Sequence, residues 1–238
     1  MKNSEKIAFI TGANRGLGLE TARGLGKLGI TVLLGTREKS KGEKAASELR
    51  QDGVGKVEPV VFDVLNRDNH KKLAAMLEAK YGRLDILVNN AGVEKEKVTF
   101  GDPKGFNTTS TVSPEILKET FDVNFFSVVA LTQTLLPLIR RSPAGRIVNL
   151  SSILGSLTIH SDPSAPIYNR KAFAYDATKT AINAFTVHLA AEPRIGRGAR
   201  YADIHDDTGS FTYRLQGSDP DAHDTRIPFS SHSLKVFS

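Results

Sequence analysis

Short runs of β-branched and aromatic residues alternate along most of the chain with longer stretches in which apolar residues recur every three or four positions. Residues 6–11 form the first run, which stops at Gly12, and a helical pattern then extends from Gly18 to Gly29. Residues 30–35 are a second run, 38–50 reads as a charged amphipathic helix, and 57–64 predicts a third strand. In 66–81, Leu73, Met76, Leu77 and Tyr81 share one helical face, and 84–88 predicts a fourth strand. A helix over 114–140, a fifth strand over 146–150 and a helix over 174–192 complete the series.

Strands alternating with helices of this length imply right-handed crossovers, and hence a parallel sheet covered on both faces. The expectation is one α/β domain with a doubly wound parallel sheet over residues 1–192. Two insertions rich in Ser, Thr, Asp, Pro and Gly, residues 93–113 and 153–173, interrupt the rhythm. Connections of that length usually border a functional site. After Pro193 the periodicity is lost, so 193–238 reads as a polar tail. It holds His205, Asp206, Asp207, His223 and Asp224, but without the spacing of a ligand set, and no metal site is expected.

Composition narrows the picture. With 39% hydrophobic and 24% charged residues, the 238-residue chain has the balance of an ordinary soluble globular protein. The absence of cysteine excludes disulfides, thiolate metal sites and cysteine nucleophiles. The run 7–10 is too short for the core of a signal peptide, and 125–139 is interrupted by Ser127, Thr132, Gln133, Thr134 and Pro137, as in a buried helix and unlike a membrane span. A cytoplasmic protein with no membrane partner is expected. The net charge of +6 raises the question of nucleic acid. However, the lysines of 38–44 alternate with Glu38 and Glu43, and those of 94–97 with Glu94 and Glu96, which reads as solvated surface and not as a binding stripe. The residual charge suits a small anionic ligand.

One such ligand is suggested by Thr11-Gly12-Ala13-Asn14-Arg15-Gly16-Leu17-Gly18, placed between the first strand and the first helix. Glycines there let the backbone approach a pyrophosphate at a helix N-terminus. Dinucleotide sites that select NAD often place an acidic residue after the second strand, whereas this chain has Thr36-Arg37. Arg37 and Arg15 together favour a 2′-phosphate, and so NADP(H) over NAD(H). Toward the other end, Tyr175 and Lys179 stand four residues apart and project from one helical face. An ammonium near a phenol favours the phenolate and brings tyrosine toward service as a general acid/base.

Taken in order, these motifs resemble the short-chain dehydrogenase/reductase family, in its carbonyl reductase-like branch. The glycine turn matches Thr-Gly-x-x-x-Gly-x-Gly, and Asp63 with Val64 matches the family's adenine-contacting position. Asn89-Asn90-Ala91-Gly92 matches Asn-Asn-Ala-Gly, and Asn124, Ser152, Tyr175 and Lys179 fall where the family's catalytic tetrad does. The resemblance implies a Rossmann-type fold and hydride transfer between NADP(H) and a small carbonyl or alcohol substrate. Tyr175 would be the proton donor and Ser152, the second of two serines, would hold the substrate oxygen. Lys179 would tune the phenol and bind the ribose, and Asn124 would anchor a relay water. It also implies that the extra residues 157–173 wall the substrate pocket. A monomer and a homo-oligomer both stay open. The family's next strand, roughly Val-Asn-x-x-x-Pro-Gly, is not found after residue 192, so the usual last strands are expected to be lacking. A catalytically weak, dinucleotide-binding member is the alternative this implies.

Overall fold

Five strands, β1 (Ile7–Thr11), β2 (Thr31–Thr36), β3 (Val57–Val61), β4 (Ile86–Asn89) and β5 (Arg146–Asn149), pair in parallel in the order β3-β2-β1-β4-β5. The structure is a computed structural model that describes residues 2–96 and 109–192, and the backbone of 202–205 and 212–215. From β1 the chain winds outward to β3, then crosses back to β4 on the other side of β1. The connections therefore diverge at the carboxyl ends of β1 and β4, the place where sheets of this kind leave a crevice for a ligand.

Strand alternation sorts the core into two layers. Ala8, Ile10, Val32, Leu34 and Val88 face one side, where they pack with Leu19, Ala22 and Leu25 of α1 (Gly16–Lys27) and with Ala45, Ala46 and Leu49 of α2 (Lys39–Gln51). Phe9, Leu33 and Leu87, in register across β1, β2 and β4, face the other. They pack with Leu73 and Leu77 of α3 (Arg67–Tyr81) and with Leu131 and Leu135 of α5 (Ser127–Arg140). A central strand covered twice has no polar face, which is why β1 is buried along its whole length. Below the sheet's site end, α4 (Pro114–Phe121), α6 (Leu157–Ser161) and α7 (Phe173–Ala190) complete the main body.

Three departures from the sequence reading have physical causes. The helix over 114–140 is one rod by hydropathy, but residues 122–126 form a π-turn between α4 and α5 that carries Asn124. Such turns leave no trace in a 3.6-residue period. The insertion 153–173 is not all loop, since Ser152 and Ser156 accept backbone N–H groups and cap a 3₁₀ turn at Ile153–Gly155 and then α6. In the tail, β6 (Ala202–His205) and β7 (Thr212–Leu215) pair antiparallel in a sheet of their own. Runs of four residues are too short for alternation to be read. His205 ends β6, while Asp206, Asp207, His223 and Asp224 lie outside the described residues. Leu131, Leu135, Leu138 and Ile139 are buried in the core, in keeping with a core helix there.

Candidate active site

Beyond β1 the chain turns through Gly12 and Gly16, both with positive φ, and α1 begins with no side chain capping its first turn. The N–H groups of that turn have no acceptor inside the helix, and the macrodipole adds partial positive charge to them. Space is as tight as the motif requires. A Cβ at Gly18 would lie 2.5 Å from Asn90 Nδ2 and 2.6 Å from the Gly12 carbonyl, and one at Gly12 would lie 3.1 Å from Ala91 Cα. Asn90 fastens this turn by donating from Nδ2 to the carbonyls of Thr11 at 2.8 Å and Gly12 at 3.3 Å. Thr11 Oγ1 returns the tie, accepting the N–H groups of Asn90 at 3.0 Å and Ala91 at 2.9 Å. Gly12, Gly16, Gly18, Asn90 and Ala91 are thus one assembly, with Asn14, Arg15 and Leu17 on its outer rim. This uncapped, glycine-lined cradle suits the pyrophosphate of a dinucleotide.

Farther along the same edge, β2 and β3 end side by side, with Thr36 in register with Val61. Arg37 follows β2 and is exposed, as is Arg15. Asp63 and Val64 lie just past the end of β3, not within it as the run 57–64 implied. Their loop is fixed by Asn69 Oδ1, which accepts the Asp63 N–H at 2.8 Å, and by His70 Nε2, which lies 2.8 Å from the Val64 carbonyl. Arg37 and Asp63 therefore stand where the far end of a nucleotide lying on the glycine turn would reach.

The sheet's other half carries a polar network that the motifs did not single out. Asn89 and Asn149 are in register at the ends of β4 and β5, and Asn89 Nδ2 donates to Asn149 Oδ1 at 2.8 Å and to Thr132 Oγ1 at 3.1 Å. Asn149 Nδ2 passes the chain on to Thr186 Oγ1 at 2.9 Å. This buried line ties α5, β4, β5 and α7 together under the site. Its signal in the sequence is that two neighbouring parallel strands both end in asparagine.

Above it, Lys179 is buried and its Nζ donates to the Leu150 carbonyl at 2.7 Å, with the Tyr175 ring centroid 5.3 Å away. Ser152 lies near enough to the Tyr175 phenol to act on its acidity. Its neighbour Ser151 is turned away and donates to Asn183 Oδ1 at 2.5 Å, so the second serine is the one that faces the phenol. Asn124 accepts the Val93 N–H at 2.8 Å and donates Nδ2 to the Val93 carbonyl at 2.8 Å and to Thr178 Oγ1 at 3.1 Å. Its side chain is therefore a clamp on the strand-to-loop path after Gly92.

Burial dominates the electrostatics of the phenol and the ammonium. Burial, and after it the charge of Glu94, push Tyr175 up to about 12, while Ser152 and Arg170 pull the other way. Burial alone brings Lys179 down to about 8. The ammonium donates to the Leu150 carbonyl. Glu96 was grouped with the solvated charges of 94–97, yet it is buried and its Oε2 accepts the Tyr175 N–H at 3.0 Å. Asp176 is buried beside it, and burial with Glu96 among its causes pushes this carboxyl up to about 7.

The chain is similar to known proteins in sequence and in fold. A model of the short chain dehydrogenase family matches residues 6–195. A short-chain dehydrogenase/reductase of Aspergillus fumigatus is 36% identical over 190 residues, covering 79% of this chain and 69% of that one. Retinol dehydrogenase 12 of Mus musculus is 38% identical over 209 residues, 84% of this chain and 60% of that one. The crystal structure of a metagenomic short-chain oxidoreductase in complex with NADP superposes with a TM-score of 0.67 at 31% identity, covering 85% of this chain and 82% of that one. The matched stretch spans 55–69% of the length of its curated relatives. With the family's model matched over most of its length, on the fold and site described, the chain belongs to the short-chain dehydrogenase family.

Proposed function

We propose that this protein is an NADP(H)-dependent, carbonyl reductase-like oxidoreductase in which Tyr175 donates a proton to the carbonyl oxygen of a small-molecule substrate. The observation that carries the reading is the grouping of Ser152, Tyr175 and the buried Lys179 at the sheet end that also holds the glycine cradle. Gly12, Asn14, Arg15, Gly16, Leu17 and Gly18 would hold the pyrophosphate, Asp63 and Val64 the adenine, and Asn90, Ala91 and Gly92 the path between the two ends. Tyr175 and Lys179 would meet the nicotinamide ribose. NADP in the related metagenomic oxidoreductase supports this choice of cofactor. When bound, the reduced nicotinamide supplies the hydride.

The chain's own residues supply the rest. Tyr175, pushed up by burial, keeps its proton at neutral pH and so has one to donate to a carbonyl oxygen. Ser152 donates to the same carbonyl oxygen as negative charge develops there. Asn124 acts through Val93, fixing the path that follows Gly92. Residues 1–192 form the working unit, and the burial of α5 in the core supports a soluble protein. A catalytically weak, dinucleotide-binding member is the second reading, favoured by a parallel sheet that ends at β5 among the described residues.

Consumption of NADPH in the presence of a panel of ketones, aldehydes and quinones tests the first reading against the second. Turnover with at least one carbonyl class is expected, and cofactor binding with no turnover by any of them would favour the second. The two arginines give a sharper expectation. Replacing either Arg15 or Arg37 by Glu removes a charge-assisted bond of about 1.5–3 kcal/mol, and so weakens NADPH by about 10- to 100-fold while leaving NADH little changed. Parallel titrations with the two cofactors check it.

A further inference from the structure

Two carboxyl groups lie buried against the turn that presents Tyr175. Glu96, 6% exposed, accepts the Tyr175 N–H through Oε2, while its Oε1 is buried without a hydrogen-bond partner. Asp176, 9% exposed, accepts the Ala172 N–H at 3.1 Å through Oδ2, and its Oδ1 is likewise buried and unpartnered. A charged, unpartnered oxygen in such a place is costly, and two neighbouring ones repel each other as well.

We propose that Asp176 and Glu96 are positioning residues, Asp176 as a protonated acid and Glu96 as the acceptor of the Tyr175 N–H, and that the Asp176 proton keeps the first turn of α7 seated so that the Tyr175 phenol stays in place. This deepens the function proposed above and rests on its reading of Tyr175 as the proton donor. With one proton the pair carries a single charge, and Glu96 can remain the acceptor for the Tyr175 amide. With none, two buried carboxylates stand at that turn, each with an unpartnered oxygen, and the segment 91–96 and α7 are pushed apart.

The surroundings leave the proton no better home. His160 Nε2 lies 3.0 Å from the Leu154 carbonyl and 3.4 Å from Asp176 Oδ2, which places the hydrogen on that nitrogen. Nδ1 faces Lys171 Nζ at 3.3 Å, and burial with the charges of Lys171 and Arg170 lowers the His160 pKa, so the ring is neutral. From the segment after Gly92, Glu94 adds to the negative field, but Arg170 holds it at 3.2 Å. Lys95 is turned to Glu119 of α4 at 3.0 Å. On α7 itself, Tyr175 is neutral and Lys179 is engaged with Leu150. Burial is the chief cause that brings Asp176 to about 7, with Glu96 and Glu94 adding to it against the Ala172 N–H and Arg170.

The sign of the pH dependence follows. A carboxyl whose pKa is raised by folding stabilises the folded state in acid, and that stability is lost as pH rises through the folded value. The test is carboxyl ¹³C NMR of the full chain from acid to alkaline pH on wild type, Asp176→Asn and Glu96→Gln, with Tm and the kcat and KM of NADPH-dependent carbonyl reduction over the same range. The expected result is an Asp176 carbon that titrates near neutrality and moves to lower pH in Glu96→Gln. Wild-type Tm should fall across that titration, while Asp176→Asn, which mimics the protonated acid, stays level. Wild-type kcat should drop roughly tenfold between one pH unit below and one above the midpoint, KM holding, and Asp176→Asn should lack that limb.

Titration of Asp176 in the ordinary carboxylate range would overturn the proposal, as would a kcat limb kept in Asp176→Asn. If Asp176→Asn does not fold, the wild-type midpoint and its shift in Glu96→Gln decide the matter. If wild type turns over no carbonyl at all, it is the proposed function that fails, while the NMR and Tm series still decide whether the pair holds its proton.

Discussion

Tyr175→Phe is expected to lower carbonyl reduction by about 10²- to 10⁴-fold, the range supplied by a placed general acid, while NADPH affinity stays within a few-fold of wild type. Loss of the phenol oxygen leaves the ring, the α7 backbone and the Lys179–Leu150 bond unchanged. A fall in kcat with steady cofactor binding is thus the signature of the lost proton donor. Retention of wild-type turnover in Tyr175→Phe would remove Tyr175 from the chemistry. Ser152→Ala should give a smaller loss of the same kind, since it takes away one donor to the carbonyl oxygen but leaves the acid.

Gly18→Val is expected to abolish measurable NADPH binding and to lower stability by about 1–3 kcal/mol, the usual cost of overfilling a packed site. The new side chain would enter the space of Asn90 Nδ2 and the Gly12 carbonyl. Asn90 cannot step aside cheaply, because its amide is spent on the carbonyls of Thr11 and Gly12. Displacing it unfastens the turn from the segment that follows β4. Gly16→Ala makes the control. A Cβ there meets nothing within 4 Å, so only the left-handed backbone at φ 55 is strained, at about 1–2 kcal/mol. Calorimetry and cofactor titration of the two variants separate crowding from strain; equal losses of binding in both would mean that the close approach of Asn90 is not what Gly18 protects.

What could be read in the sequence and what could not divides along the range of the interactions. The first four strands and α1 to α3 follow from local periodicity, and the glycine turn, the Asn90 segment and the Tyr175–Lys179 pair follow from residue types at fixed short spacings. Each is decided within a few residues of itself. The π-turn at Asn124 is not, because its bulge becomes useful only when the side chain reaches Val93 and Thr178. Glu96 shows the same limit. Among lysines it reads as surface, and only the arrival of α7, with the Tyr175 amide to be satisfied, makes burial of a carboxylate tolerable. The Leu150 contact of Lys179 is hidden for a like reason: spacing brings Lys179 to the face of Tyr175, but the carbonyl that takes its ammonium lies on another element.

The most direct measurement is titration of the full chain with NADPH and with NADH, followed by cofactor fluorescence, in wild type and in Arg37→Glu. Saturable binding of NADPH, tighter than that of NADH and brought down to the NADH level by the substitution, is expected if the dinucleotide lies on the Gly12–Gly18 turn with its 2′-phosphate beside Arg37. Absence of binding by either cofactor, or a preference for NADH that Arg37→Glu leaves untouched, would contradict it.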